Sequence, residues 1–215
     1  MNHVDTTLYL VTNSDGFNAA EFLETIVQAC EGGVTLAQLR EKERFSREYY
    51  ELAVKVKAVT DRFGVPLIID DRVDIALAVD AAGVHLGQAD LPISAARRIM
   101  GPGKIIGATA KTVPQALQAE SEGADYLGVG AIYPTTTKVV TVLTPVTTLS
   151  EIARTVKIPV VAIGGLNAGN LDVLYGSGAD GIAVVTAIMN SANPKQAAQE
   201  LRGLSEMIRQ RGLAE

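Results

Sequence analysis

The amino-acid sequence predicts a single-domain (β/α)8 TIM barrel, an α/β fold in which eight parallel strands alternate with helices. Eight short runs of aliphatic and β-branched residues recur along the chain, separated by longer segments of helical period. Aromatic residues make up only 5% of the chain and Trp is absent, so Val, Ile, Leu and Ala must build the core, as in buried parallel strands. A chain of 215 residues suits one barrel, and we expect residues 1–215 to form one domain.

The predicted strands are short and evenly distributed. They are expected to begin at Leu8, Leu36, Leu67, Gly83, Ile105, Tyr126, Val160 and Gly181. Strands that alternate with helices in this way form βαβ units and a parallel sheet, and eight such units point to a closed barrel. A doubly wound open sheet is the structural alternative, but it usually carries a GxGxxG turn after its first strand. Residues 12–16 read TNSDG and lack that pattern.

Two helices are predicted in detail. The segment from Ser46 to Phe63 is amphipathic, and its apolar face consists of Tyr49, Leu52, Val56, Val59 and Phe63. The last helix is expected to start at Asn193-Pro194, because Asn caps helices and Pro suits the first helical position. Its apolar stripe should consist of Ala197, Leu201, Leu204 and Ile208.

The charge balance argues against several kinds of partner. A net charge of −5 disfavours binding to nucleic acid or to an anionic membrane surface. No apolar run approaches the roughly 18 residues of a membrane-spanning helix, and the first ten residues do not resemble a signal peptide. The single Cys30 excludes a disulfide framework and is expected to be buried. We therefore expect a cytoplasmic protein that holds anionic substrates with local cations.

Barrel active sites are built at the carboxyl ends of the strands, so those ends indicate the chemistry. Alternation places Gln38, Arg40 and Lys42 on the inner side of strand two, where an amide and two cations suit a phosphorylated ligand. Asp71 and Asp90 follow strands three and four and can share a divalent cation, Mg²⁺ in particular. Two alternatives stay open: the cations could belong to a surface charge run, and the two Asp residues could cap helices.

A second anion-binding region is predicted near strands seven and eight. Gly164-Gly165 follow strand seven, and Val185-Thr186 precede a helix after strand eight, an arrangement that barrels use to bind phosphate. The Thr-rich segment from Gly130 to Pro145 follows strand six, and we interpret it as a substrate loop rather than an ordinary surface excursion. The residues alone therefore fit transfer between two phosphorylated small molecules.

Six motifs carry a resemblance to a known family. They are QLREK at 38–42, DDRVDIAL at 70–77, GVHLGQAD at 83–90, GADYLGVGAIYPTTTK at 123–138, VAIGGL at 161–166 and GADGIAVVTAI at 178–188. In this order and spacing they resemble the thiamine phosphate synthase family over nearly the whole chain. The resemblance implies a Mg²⁺-dependent transferase that joins hydroxymethylpyrimidine diphosphate to a thiazole phosphate, giving thiamine phosphate and diphosphate.

The resemblance also implies a role for each matching position. The pyrimidine diphosphate would be held by Gln38, Leu39, Arg40, Glu41, Lys42, Asp70, Thr109 and Lys138. Arg40, Lys42 and Lys138 would be catalytic, because they would stabilise charge on the leaving diphosphate. Asp71 and Asp90 would bind Mg²⁺. The thiazole phosphate would be held by Thr135, Thr136, Thr137, Gly165, Val185 and Thr186, partly through backbone amides.

Three positions depart from the family pattern. Asp70 stands where Asn is usual, Lys111 where a His is common, and Ala131 where Pro is frequent. An extra carboxylate near a diphosphate either draws in more cation or weakens binding. The departures therefore concern substrate affinity more than the type of reaction.

Two rival functions are compatible with the fold. A thiazole tautomerase of the same superfamily would need a His in the strand-five motif and a degenerate TTTK loop, whereas this chain has Lys111 and keeps residues 134–138 as PTTTK. A non-catalytic barrel that only binds a phosphorylated metabolite would have no reason to keep the metal and diphosphate residues. The sequence decides neither whether the thiazole substrate is carboxylated nor whether the barrel is a monomer or a homo-oligomer.

Overall fold

The computed structural model describes residues 4–135 and 142–212, and their strands form the predicted closed parallel barrel. The strands are β1 (Leu8–Val11), β2 (Leu36–Leu39), β3 (Leu67–Asp70), β4 (Gly83–Leu86), β5 (Ile105–Ala110), β6 (Tyr126–Gly130), β7 (Val160–Ile163) and β8 (Gly181–Val184). All eight predicted starts are confirmed. Each strand pairs in parallel with the next, and β8 also pairs with β1, where Tyr9 lies opposite Ala183. The barrel therefore has no free edge, which rules out the open sheet.

Helices surround the barrel. They are α1 (Ala19–Glu31), α2 (Ser46–Arg62), α3 (Val73–Ala78), α4 (Ile93–Met100), α5 (Val113–Ser121), α6 (Val146–Thr155), α7 (Thr186–Met189) and α8 (Pro194–Arg211). The predicted α2 is confirmed to within one residue, and its Tyr49 hydroxyl donates a hydrogen bond of 2.7 Å to the Leu39 carbonyl of β2. Within the two described ranges, no helix is long and apolar enough to cross a membrane.

The predicted start of α8 is confirmed. Part of its buried face lies one residue further along the chain than the apolar stripe predicted from the sequence. Pro194 is the first helical residue, and the side chain of Asn193 accepts a hydrogen bond from the Gln196 N–H at 3.1 Å. Leu201 and Ile208 are buried as predicted. Ala197 and Leu204 are only half-buried, because Ala198 and Ser205 occupy the centre of the face that packs on the barrel.

The connection between β7 and β8 departs from the ideal barrel. It contains a short 3-10 helix, Leu171–Leu174, in place of an α-helix. Glycines occupy positions 164, 165, 169, 176 and 178, and each glycine in a helix costs about 1 kcal/mol relative to Ala. Leu171 and Leu174 are nevertheless buried, so this short segment still covers its part of the barrel.

Strand alternation divides the core into an outer and an inner part. The outer core lies between the strands and the helices, and the inner core fills the barrel. The inner core includes Tyr9, Leu36, Ile68, Ile105, Tyr126, Val161 and Ala183. Two residues further along β2 and β3, and four residues further along β5, the same inward alternation brings Gln38, Asp70 and Thr109. The barrel interior thus changes from apolar to polar towards the carboxyl ends of its strands.

A buried ion pair lies at the opposite, amino-terminal end of the strands. Nη2 of Arg97 on α4 lies 2.6 Å from Oδ2 of Asp125, which directly precedes β6. The same carboxylate oxygen accepts a hydrogen bond of 2.9 Å from the Ile106 N–H of β5. The Asp125 side chain is only 4% exposed, so this contact ties α4 to two strands in a largely dry environment.

We expect Asp125→Ala to lower the free energy of unfolding by about 3 kcal/mol, because it leaves a half-buried guanidinium and a strand N–H without their carboxylate. Urea unfolding at equilibrium measures this change. The control is Glu206→Ala, which breaks an exposed pair with Arg202 on α8 and should cost less than about 0.5 kcal/mol. Equal losses of unfolding free energy in the two variants would show that the Arg97–Asp125 contact stabilises the protein no more than an exposed ion pair does.

Candidate active site at the carboxyl end of the barrel

Five charged residues form what we call the mouth cluster, at the carboxyl ends of the strands. They are Arg40, Lys42, Asp70, Asp71 and Asp90. Nζ of Lys42 lies 2.8 Å from Oδ2 of Asp70 and also donates a hydrogen bond to Oδ2 of Asp71. Nε of Arg40 lies 3.7 Å from Oδ2 of Asp70. The two cations predicted after β2 therefore face the carboxylates that follow β3, rather than forming a surface charge run.

The backbone at Asp71 explains how two consecutive carboxylates reach the same cation. In a regular strand Asp70 and Asp71 would point to opposite sides. Asp71 instead has a φ of 59°, in the left-handed region where Asp is tolerated better than most residues. Its N–H donates to the His85 carbonyl at 2.9 Å, which fixes this turn against β4. Asp71 therefore turns back over the mouth of the barrel.

Burial and neighbouring charges shape the titration of the pair Asp70 and Lys42. Burial raises the pKa of Asp70, and the charge of Asp71 raises it further, while Lys42 and Arg40 lower it in part. Burial alone would lower the pKa of Lys42, but the Asp70 and Asp71 carboxylates raise this pKa on balance. Oδ2 of Asp70 is buried without a well-directed hydrogen bond, although Lys42 is near. Asp70 is thus held by charge rather than by good hydrogen-bond geometry.

Asp90 reaches Asp71 from the end of β4. Its Oδ2 accepts a hydrogen bond of 2.7 Å from the Gly87 N–H and so closes the turn at residues 87–90. Burial raises the pKa of Asp90, and Asp71 raises it further through a hydrogen bond between the side chains and through like charge. The helices that follow begin with Arg72 and Pro92 as caps, without a side-chain cap. Helix capping therefore does not explain either Asp residue.

The donor set of Asp71 and Asp90 fits Mg²⁺. Two adjacent carboxylates repel one another, and a hard divalent cation relieves that repulsion. Mg²⁺ is usually held by one or two carboxylates and completes its coordination with water and substrate phosphate oxygens. The described part of the chain contains no group of three or more His, Cys, Asp or Glu side chains arranged to hold a metal ion, so water and substrate oxygens would have to complete the coordination.

The other residues of the QLREK motif point in different directions. Gln38 is buried inside the barrel, where its Nε2 donates a hydrogen bond of 2.6 Å to the Tyr9 hydroxyl. Leu39 is fully buried in the outer core, so its side chain cannot contact a ligand in the mouth. The Glu41 carboxylate turns to the loop after β1, where Oε2 accepts hydrogen bonds from Arg44 and Ser14. Leu39 and Glu41 thus belong to the framework around the mouth.

Thr109 belongs to a polar network inside the barrel that sequence reasoning missed. Its Oγ1 lies 3.0 Å from Nε2 of His85, whose Nδ1 lies 3.0 Å from the Tyr126 hydroxyl. The Tyr126 hydroxyl lies 2.7 Å from that of Tyr9, which receives the hydrogen bond from Gln38. Inward alternation along β1, β4 and β6 was the signal that could have indicated Tyr9, His85 and Tyr126.

The two glycines after β7 have a packing role that the sequence did not reveal. A Cβ on Gly164 would lie 2.5 Å from Cα of Ala131, and one on Gly165 would lie 2.7 Å from the Pro134 carbonyl oxygen. The Tyr133 N–H also donates to the Gly164 carbonyl at 3.0 Å. These glycines therefore let the segment after β6 pack closely on the end of β7.

The remaining predicted residues that the structure describes are Thr135, Val185 and Thr186, on the β6 and β8 side of the mouth. Val185 precedes α7 and is half-buried, and Thr186 is the first residue of this four-residue helix. Thr135 is half-buried at the end of the first described range. Thr136, Thr137 and Lys138 lie outside the described residues. At the base of the predicted loop, the Thr144 hydroxyl donates to the Gly130 carbonyl at 3.0 Å.

Lys111, which replaces a common His of the family, contacts the far end of the same loop. Its Nζ donates a hydrogen bond of 3.2 Å to the Val142 carbonyl. Its backbone N–H donates to Oε1 of Gln115 at 2.9 Å, within the first turn of α5. The described contacts thus place Lys111 beside the predicted substrate loop and outside the mouth cluster.

The fold and the mouth cluster together define a class: a (β/α)8 barrel enzyme with a charged site at the carboxyl end of its strands. Within that class the chain belongs to the thiamine monophosphate synthase family, whose model matches residues 8–188. This match covers all eight strands and every member of the mouth cluster.

Individual relatives agree with the family. The chain is 55% identical to thiamine-phosphate synthase of Enterococcus faecalis over 201 residues, which cover 94% of this chain and 95% of that protein. It is 54% identical to thiamine-phosphate synthase 2 of Streptococcus pneumoniae over 191 residues, covering 89% and 91%. The solved structure of thiamine phosphate pyrophosphorylase from Pyrococcus furiosus superposes with a TM-score of 0.86 at 40% identity, covering 95% of this chain and 97% of that one.

We expect Asp70→Asn to bind inorganic diphosphate about tenfold more tightly in the presence of Mg²⁺, or about 1.4 kcal/mol. The amide keeps the shape of the side chain but no longer competes for Lys42 and Arg40. Isothermal titration calorimetry measures the change, with Asp61→Asn in an exposed ion pair of α2 as the control. Weaker binding by Asp70→Asn would mean that Asp70 helps to draw in the cation instead.

Proposed function

We propose that this chain is a thiamine-phosphate synthase. It transfers the hydroxymethylpyrimidine group from its diphosphate ester to the nitrogen of a thiazole phosphate and releases diphosphate. One observation carries the proposal: a cluster of cations and paired carboxylates lies at the barrel mouth of a chain that is 55% identical to a thiamine-phosphate synthase over 94% of its length.

The pyrimidine diphosphate is proposed to bind at the mouth cluster. Arg40 and Lys42 would exchange their contacts with Asp70 and Asp71 for contacts with diphosphate oxygens. Lys138, from the loop after β6, would add a third cation. Asp71 and Asp90 would hold Mg²⁺, which when bound neutralises part of the charge on the diphosphate. The polar contacts of Asp70 with both cations support this exchange, because these cations already bind an anionic group.

The pyrimidine ring is proposed to lie deeper in the barrel, between Gln38 and Thr109. Both side chains come from strands and face the interior, and each is fixed by a hydrogen bond to an aromatic side chain below it. Leu39 and Glu41 support this site without touching the ring: Leu39 anchors β2 in the outer core, and Glu41 holds Arg44.

The thiazole phosphate is proposed to bind on the β6, β7 and β8 side. Thr135, Thr136 and Thr137 would contact its phosphate from the loop, and Gly165, Val185 and Thr186 would contact it mainly through backbone N–H groups. Helix α7 has only four residues, so single N–H groups rather than a helix dipole would do this. The two phosphorylated substrates would then approach from opposite sides of the mouth.

The proposed chemistry needs no enzyme nucleophile. The bond between the pyrimidine methylene carbon and the diphosphate oxygen breaks, both electrons leave with the oxygen, and the electron-rich aminopyrimidine stabilises the carbocation. The thiazole nitrogen then donates its electron pair to that carbon. Arg40, Lys42 and Lys138 stabilise the growing negative charge of the leaving group. The rest of the barrel aligns the two substrates and excludes water.

The reaction is proposed to take place in the cytoplasm, on small phosphorylated molecules and not on nucleic acid. The excess of negative charge in the chain and the single, buried and unpaired Cys30 are consistent with this location and with these partners.

The purified protein is expected to form thiamine phosphate and to release one diphosphate per product when it is given Mg²⁺ and both substrates. EDTA should abolish turnover, and added Mg²⁺ should restore it. Chromatography of the product and a coupled diphosphate assay measure the two events. Isomerisation of the thiazole substrate alone, without thiamine phosphate, would identify a tautomerase and refute the proposal.

Lys138→Ala is expected to lower kcat by about 100-fold while the protein stays folded, because one charge on the leaving group is no longer stabilised. The matched control is Lys157→Ala, since Lys157 is exposed and precedes β7 at the other end of the barrel. Steady-state kinetics and thermal unfolding of both variants are compared. Turnover of Lys138→Ala within twofold of the wild type would remove Lys138 from the mechanism.

A further inference from the structure

The barrel interior contains a continuous series of hydrogen bonds that we call the tyrosine–histidine chain. It links Gln38, Tyr9, Tyr126, His85 and Thr109, in this order, across five strands. The successive distances are 2.6 Å from Nε2 of Gln38 to the Tyr9 hydroxyl, 2.7 Å between the tyrosine hydroxyls, 3.0 Å to Nδ1 of His85, and 3.0 Å from Nε2 of His85 to Oγ1 of Thr109. Both of its ends lie next to the proposed pyrimidine site.

Two glycines show that the barrel is built around these rings. A Cβ on Gly107 would lie 2.1 Å from Cζ of Tyr126, and one on Gly128 would lie 3.2 Å from Cε1 of His85. Strands β5 and β6 thus carry no side chain at the two positions where these rings need room. The rings of Tyr9 and Tyr126 pack edge to face, with centroids 5.7 Å apart, which fixes the hydroxyls against each other.

The donor at one end determines the direction of the chain. Nε2 of Gln38 can only donate, so the Tyr9 hydroxyl accepts there and its own hydrogen must go to Tyr126. If Tyr126 donated to Tyr9 instead, the hydrogen of Tyr9 would be buried with no acceptor among its described contacts. Burial raises the pKa of both tyrosines, so each hydroxyl keeps its hydrogen to donate.

The directions of the remaining hydrogen bonds follow from the same requirement, that each buried hydroxyl hydrogen must have an acceptor. The Tyr126 hydroxyl has accepted from Tyr9 and donates to His85, so Nδ1 of His85 must be the bare nitrogen. In a neutral imidazole the other nitrogen then carries the hydrogen, and Nε2–H donates to Oγ1 of Thr109. Thr109 therefore accepts a hydrogen bond from His85, and its own hydroxyl hydrogen is left for another partner.

We propose that the tyrosine–histidine chain holds His85 as the neutral Nε2–H tautomer and so makes the Thr109 hydroxyl a hydrogen-bond donor to the substrate. Its partner is an acceptor atom, a ring nitrogen of the aminopyrimidine. That choice of partner rests on the proposed function, whereas the tautomer rests only on the hydrogen bonds inside the free protein. Tyr9, Tyr126 and His85 are thus positioning residues that act through Thr109.

Nitrogen NMR of the free protein tests the tautomer without any substrate. The chain has two histidines, so ¹⁵N-histidine labelling of the His3→Gln variant leaves His85 as the single signal. We expect a protonated Nε2 and a bare Nδ1. A protonated Nδ1 would overturn the proposal. It would require Gln38 to turn its carbonyl towards Tyr9 and every hydrogen bond of the tyrosine–histidine chain to reverse its direction.

Removing one hydroxyl should change this signal. In Tyr126→Phe the bare Nδ1 loses its donor, and we expect the two tautomers of His85 to become mixed. The control Tyr50→Phe removes the hydroxyl of a partly exposed tyrosine on α2 and should leave the signal unchanged. A pure Nε2–H signal in Tyr126→Phe would show that Tyr126 does not set the tautomer.

Kinetics test the consequence for the substrate. We expect Thr109→Val to raise the KM of the pyrimidine diphosphate about tenfold, with little change in the KM of the thiazole phosphate, and Thr109→Ser to restore it. Equal KM values for Thr109→Val and the wild type would overturn the role of Thr109 as donor. A wild-type protein that makes no thiamine phosphate would refute the proposed function, while the NMR result on the tautomer would still stand.

Discussion

The ammonium group of Lys42 lies between the carboxylates of Asp70 and Asp71, and the organisation of the mouth depends on this contact. Within the described residues the mouth cluster has two cations and three carboxyl groups. Such a mouth cannot accept a diphosphate until further positive charge arrives, since like charges in a partly dry site repel strongly. The charge count of the described residues thus supports the proposed Mg²⁺ site, as the donor set does.

The polar interior has a different task from the charged mouth. The tyrosine–histidine chain lies among apolar residues such as Leu36 and Ile68, where an unsatisfied hydroxyl would be costly. Every hydroxyl of the tyrosine–histidine chain therefore needs an acceptor for its hydrogen, and this requirement fixes the donor and the acceptor of each hydrogen bond. In the proposed function the mouth would recognise charge, which is strong but tolerant of geometry, whereas the interior would recognise the pattern of donors and acceptors on a ring.

The sequence predicted the barrel well because each of its signals is local. Strand runs, the helix start at Asn193-Pro194 and the inward alternation of Gln38 and Arg40 can all be read within a few residues. The convergence of the cations with Asp71 also followed, since barrel strands place their carboxyl ends together. Asp70 was predicted among the diphosphate ligands, and this stays a prediction; its contact with Lys42, a cation predicted to bind the same ligand, was not predicted.

The parts that the sequence did not predict depend on register and on close packing. Tyr9 and Tyr126 are far apart in the chain, and only the closed barrel brings their hydroxyls together. The Gly164-Gly165 pair suggested a ligand contact, which stays a prediction, but its role in making room for residues 131–134 emerged only from the structure. Strand alternation predicts that Leu39 points outward. Treating QLREK as one binding motif assigned Leu39 to the ligand site together with its neighbours. Local patterns thus indicated which segments matter, and packing decided what each side chain does.

Asp70 and the diphosphate are proposed to compete for Lys42, and a double-mutant cycle tests this competition most directly. The cycle compares kcat/KM for the pyrimidine diphosphate in the wild type, Asp70→Asn, Lys42→Met and the double variant. Without Lys42, Asp70 keeps only the longer contact with Arg40, 3.7 Å away, so Asn has little positive charge to release. We predict that Asp70→Asn raises kcat/KM only when Lys42 is present, with a coupling of about 1 kcal/mol or more. If Asp70→Asn changed kcat/KM by the same factor with Lys42 and with Met at position 42, Asp70 and the diphosphate would not compete for Lys42.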